Sequence, residues 1–204
     1  MNEKTTKQIK EMMKQTIGVE VEMNNITRTK AAQLAAEFFG TGRHEHTAGR
    51  NGYDTYSAWD GEGREWKFQK DVSIHGPDSE KCELVTPILT YTDMETLQEL
   101  IRRLRKAGAK SDATRGCGVH IHIGAKGHTP QSLRNLANIM ASHESLLASA
   151  LNLDRSRMNR YCRTVSKDFL VELNRKKPKT MAALADTWYG SQNADYGRSA
   201  HYNE

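Results

Sequence analysis

The sequence predicts an α+β domain, and three observations lead there. Segments at 16–23, 55–60, 64–71, 81–89 and 116–124 have strand-like composition, several with a period of two. Gly61-Glu62-Gly63 makes a hairpin turn between two of them. Residues 29–39, 93–107 and 130–150 instead repeat apolar side chains at helical spacing.

In TIGVEVEM at 16–23, Ile17, Val19, Val21 and Met23 share one face, and Gly18, Glu20 and Glu22 share the other. The helix at 29–39 is stopped by Gly40. A loop rich in Gly, His and Arg is expected from there to about Tyr53. TYSAWD and REWKFQKD form the hairpin, and KCELVTPIL is a strand that ends near Pro87. Leu97, Leu100, Ile101 and Leu104 give the next helix a buried stripe between Asp93 and Gly108. GCGVHIHIG is another alternating strand. Thr129 and Pro130 suit the cap and first turn of a long helix. Leu133, Leu136, Ala137, Met140 and Leu147 lie along one side of that helix. Beyond Asn152 the pattern weakens, apart from a short helix after Pro178 in TMAALADTWY. The length of 204 residues fits one domain over 1–204, with an N-terminal extension over about 1–14.

The apolar fraction of 37% is low but clustered, so the chain is not disordered. No apolar run is long enough to span a bilayer, and the charged start MNEKTTKQIKEMMKQ has no signal-peptide core. A cytoplasmic protein is expected, with no membrane partner. The net charge of +5 suits a protein that handles anions. The basic residues are spread out and not interleaved with aromatics, so no nucleic-acid partner is expected. Cys82, Cys117 and Cys162 form no CxxC pair, which argues against a structural zinc site. No phosphate loop, dinucleotide fingerprint or nucleophile elbow is present.

Four features carry candidate chemistry. Glu20 and Glu22 place two carboxylates roughly 7 Å apart on one strand face. Like charges so placed repel unless cations lie between them, and magnesium takes oxygen-rich sites of this kind. The alternative is a solvated strand face. His120 and His122 repeat the arrangement with imidazoles, which ligate metals when neutral and bind anions when charged. Glu83 interrupts an apolar strand, where a carboxylate is costly unless paired or metal-bound, or unless the strand lies at an edge. Asp71, followed by Ser73, closes another strand and can orient an amine or a metal-bound water, or simply form a turn. The HEH at 44–46 and His143-Glu144 lack the spacing of a zinc motif.

In order, GVEVEM, DGEGREWKFQKDVSI, CELVTPIL, a helix, GCGVHIHIG and RMNRYCR resemble the amidoligase family of the carboxylate–amine ligase superfamily. Glutamine synthetase and gamma-glutamylcysteine synthetase are related to it. The likeness covers about 16–165. It implies a glutamine-synthetase-like curved, mainly antiparallel sheet with packed helices, whose concave face holds ATP and Mg2+, or Mn2+. It further implies that Glu20, Glu22 and Glu83 bind metal, that His120 and His122 contact the cofactor, and that Asp71 takes a catalytic part. Arg160 and Arg163 are candidate catalytic anion contacts. The implied reaction joins a small-molecule or peptide carboxylate to an amine through an acyl phosphate. A metal-dependent hydrolase built on the HxH strand and a non-catalytic ligase-like domain are the rival readings. Relatives continue into a strand with a Glu-Phe-Arg motif, absent here, so a domain shortened at its C-terminus is expected.

Overall fold

The computed structural model describes residues 3–155, 158 and 163–190. These group into two compact units, one up to Gly124 and one from Ala125. In the first unit, helix α1 (Glu3–Met12) precedes strand β1 (Ile17–Met23) and buries none of its residues. Helix α2 (Arg28–Phe38), strands β2 (His44–Ala48), β3 (Thr55–Trp59), β4 (Glu65–Gln69) and β5 (Cys82–Val85), helix α3 (Met94–Lys106) and strand β6 (Val119–Ile123) complete it. The strands form one antiparallel sheet in the order β2-β3-β4-β5-β1-β6.

Alternation sorts this sheet into two faces. Val19, Val21, Met23, Ala58, Trp66, Phe68, Cys82 and Leu84 turn to one side and are buried there. Helices α2 and α3 supply the other half of that core. Ala31, Ala32, Ala35 and Ala36 have no exposed surface, and such small side chains let α2 lie close against the sheet. Thr27 caps α2 by accepting from the Lys30 N–H at 3.2 Å. Leu97, Leu100 and Leu104 are the buried stripe of α3, as its spacing predicts. Asp60 ties the β3–β4 turn to the core. It accepts from the Glu62 and Arg64 N–H groups and from Trp66 Nε1 at 3.0 Å, so the buried indole N–H is satisfied.

Two expectations change in this unit. The segment expected as a loop between Gly40 and Tyr53 contains edge strand β2, which carries the HEH. Its exposed, polar side chains give no apolar alternation to read, and pairing with β3 makes it a strand. Glu83 lies on β5, an interior strand between β4 and β1, so the edge-strand explanation of its charge fails.

The second unit contains helices α4 (Pro130–Ala150), α5 (Lys167–Lys176) and α6 (Met181–Tyr189). Thr129 and Pro130 start α4, as expected. Helix α5 lies where the sequence pattern is weak. Ala137, Phe169, Leu173 and Leu184 form the small core of this unit, and Phe169 meets Trp188 edge-on at 4.9 Å. Among the described residues, no helix is long and apolar enough to cross a membrane.

Candidate metal centre

The polar face of the sheet gathers the sequence-predicted carboxylates. Glu22 stands opposite Glu83 on β5, and Glu20 stands opposite His120 on β6. Gln69 of β4 lies opposite Glu83 from the other side. Asp71 follows just past the end of β4. Two sets of groups each bring their ligand atoms within 4.8 Å of one another: Glu20, Glu83 and His120, and Glu22, Asp71 and Glu83. Glu83 belongs to both. Thus a period of two on three adjacent strands, with one loop, converges on a single patch.

A close backbone contact holds the Asp71 loop in place. Gly116 has φ +82, and a Cβ there would stand 2.5 Å from the Ser73 carbonyl oxygen. Only glycine allows this approach without displacement. Beside it, the His75 N–H donates to the Arg115 carbonyl at 2.7 Å. Ser73 Oγ then donates to Glu22 Oε1 at 3.1 Å, and the Gly118 N–H donates to Glu22 Oε2 at 2.6 Å. The Ser73 N–H also bonds Asp71. Glu22 is buried, yet both its oxygens are satisfied.

Glu83 is also buried, and among the described residues it accepts from Gln69 Nε2 at 2.8 Å. Burial pushes the Glu83 carboxyl up to about 7, and the charges of Glu20, Asp71 and Glu22 push the same way against the Gln69 bond. Glu20 instead meets both imidazoles, His120 Nδ1 at 3.0 Å and His122 Nε2 at 3.2 Å. His122 is the more exposed of the two and belongs to neither set of three.

Four carboxylates with one imidazole, His120, in only one of the two sets suit magnesium or manganese better than zinc, which favours nitrogen and sulfur donors. A bound cation would supply charge neutralisation between carboxylates that otherwise repel.

Arg163 is exposed in the second unit, and Arg160 lies outside the described residues. The segment RMNRYCR is described only in part. The HEH strand makes no such cluster among the described residues. There His46 pairs with Asp54 at 3.0 Å and stacks on Tyr56, while Asp54 also pairs with Arg28. Sequence reasoning did not single out Gln69 or the Gly118 N–H. Gln69 was findable, because it lies two residues before Asp71 on a strand whose intervening neighbours are apolar or solvent-facing. The Gly118 donor is a backbone group and leaves no trace in residue identity.

No curated protein and no solved structure matches the chain. A family model described as "Putative amidoligase enzyme" matches residues 13–204, a span that contains every member of the carboxylate patch. The chain therefore belongs to that amidoligase family.

Proposed function

We propose that the carboxylate patch binds two divalent cations, Mg2+ or Mn2+, and that the protein is an ATP-dependent carboxylate–amine ligase on a glutamine-synthetase-like sheet. The observation that carries this reading is Glu83, shared by two sets of three metal-competent groups. A carboxylate shared by two such sets would let both cations serve one polyphosphate chain. Membership of an amidoligase family supplies the bond that is made.

In this reaction an oxygen of the substrate carboxylate attacks the γ-phosphorus of ATP, and ADP leaves. The amine nitrogen then attacks the acyl carbon, phosphate leaves, and the amine proton passes to a base. Phosphoryl transfer is mostly a problem of positioning and charge neutralisation. Glu20, Glu83 and His120 would hold one cation, and Glu22, Asp71 and Glu83 the other. The bonds from Ser73 and Gly118 keep Glu22 oriented before any ligand arrives. His122, beside Glu20 and outside both sets of three, would contact a phosphate oxygen. The oxygen-rich donor set favours this reading over a zinc hydrolase built on the HxH strand.

The test is phosphate release from ATP with Mg2+ or Mn2+, measured against a panel of carboxylates and amines, together with calorimetric Mn2+ titration. Release that needs both a carboxylate and an amine, and two bound Mn2+ ions, is expected. Metal-dependent hydrolysis without any requirement for ATP would overturn the ligase reading.

A further inference from the structure

We infer that Lys67 is a phosphate-binding residue, a second anchor for the polyphosphate chain at a fixed distance from the cation sites. The inference rests on the reading above that the carboxylate patch holds metal-bound nucleotide.

Register places Lys67 in line with the patch. Glu45, Ser57, Lys67, Val85, Glu20 and His120 stand opposite one another in sequence across all six strands. Lys67 is flanked by Trp66 and Phe68, both with no exposed surface in the core. Its side chain therefore stands on the opposite face, the same face as Glu20 and Glu83. Two strand spacings separate it from Glu20, about 10 Å between backbones. Only Val85 lies between them in that row. Val85 is uncharged, so no ionic side chain stands between Glu20 and Lys67 along that row.

Lys67 is also poorly committed. Its ion pair with Glu65 spans 3.8 Å, too long for a hydrogen bond, and its side chain is 47% exposed. Glu65 has a closer donor, Ser57 Oγ at 2.7 Å. Ser57 is buried and touches Thr47 Oγ1 at 2.8 Å, so this pair of hydroxyls holds Glu65 to one side. Lysine is a compact point charge with three donors, suited to phosphate oxygens. The patch itself carries four carboxylates, so a polyphosphate needs both the cations and a basic group on the sheet to offset its charge.

The experiment measures Mn2+ binding alone, then pyrophosphate and ATP binding to the Mn2+-loaded protein, by calorimetry, for wild type, Lys67→Met and Lys67→Arg. Lys67→Met should weaken pyrophosphate and ATP about tenfold or more, the loss expected for one charged hydrogen bond. Mn2+ affinity and melting temperature should not change, and Lys67→Arg should restore most of the anion binding. Unchanged pyrophosphate affinity in Lys67→Met would overturn the assignment. So would a parallel loss of Mn2+ binding, which would show that Lys67 acts on the carboxylate patch. If pyrophosphate depends on Lys67 but no amide bond is ever formed from ATP, the anchor stands and the ligase reading falls.

Discussion

Replacing Glu83 by Gln should make the metal-free protein more stable at alkaline pH, not less. Glutamine keeps the shape of the side chain and can still accept from Gln69 Nε2. What it removes is a charge that the fold disfavours, since burial and three neighbouring carboxylates move Glu83 from the ordinary 4.5 to about 7. Between those values the folded protein keeps a proton that the unfolded chain has released. Stability is therefore fully present below about pH 4.5 and falls as pH rises through about 7. At about 1.4 kcal/mol per unit, the penalty reaches about 3 kcal/mol near pH 8 as an upper figure. Glu83→Gln escapes it, so its melting temperature should exceed that of wild type by about 5–12 °C near pH 8 and by little near pH 4.5. The assay is thermal unfolding by circular dichroism across this pH range with a chelator present. Saturating Mg2+ should reverse the order, because only wild type then gains the full binding free energy. Melting curves of the two proteins that stay parallel at all pH values would refute the reasoning.

Other substitutions separate the two buried glutamates from each other and from their supports. Glu22→Ala should lose about 1–3 kcal/mol in chemical denaturation, because it leaves the Gly118 N–H and Ser73 Oγ without their acceptor. Glu20→Ala should leave stability nearly unchanged in the same assay while weakening Mn2+ binding in calorimetry, since its partners are half-exposed imidazoles. Gly116→Ala forces a side chain to positive φ against the Ser73 carbonyl. It should cost at least about 1 kcal/mol of stability and weaken Mn2+ binding through displacement of Asp71. In the second unit, Phe169→Ala should cost about 3–5 kcal/mol, read as loss of that unit's unfolding transition, because Phe169 joins α5 to Trp188 and the small buried core.

What the sequence reveals follows from how each element is stabilised. Strands β1 and β6 alternate cleanly, so Glu20, Glu22, His120 and His122 can be assigned to one face before any coordinates exist. Helices α2 and α3 announce themselves through their apolar stripes and caps. Strand β2 does not, since its side chains are polar and mostly exposed and only its pairing with β3 defines it as a strand. Helix α5 escapes because only Phe169 and Leu173 are buried in it, too few for a visible period. Helix α1 buries nothing, so no apolar stripe marks it. The division of roles between Glu20 and Glu22 is also invisible in sequence. The two residues have the same identity and spacing. The Gly116 contact, which brings Ser73 against β1, and the Gly118 N–H together make Glu22 a fixed, satisfied group.

That difference bears on how the patch can work. Glu22 accepts two hydrogen bonds that hold its charge in place whether or not a cation is present. Glu20 is held by two partly exposed imidazoles, His120 and His122. Glu83 has one neutral donor and is central to both sets, so its ionised form is the least compensated of the three. Ionisation of Glu83 and entry of a cation are thus coupled: each favours the other by the same free energy. Metal affinity should accordingly rise with pH up to about 7, where Glu83 ionises unaided, and then level off. A patch whose four carboxylates were all hydrogen-bonded as Glu22 is would bind cations with little pH dependence. A patch with none so held would have no fixed direction in which to present them.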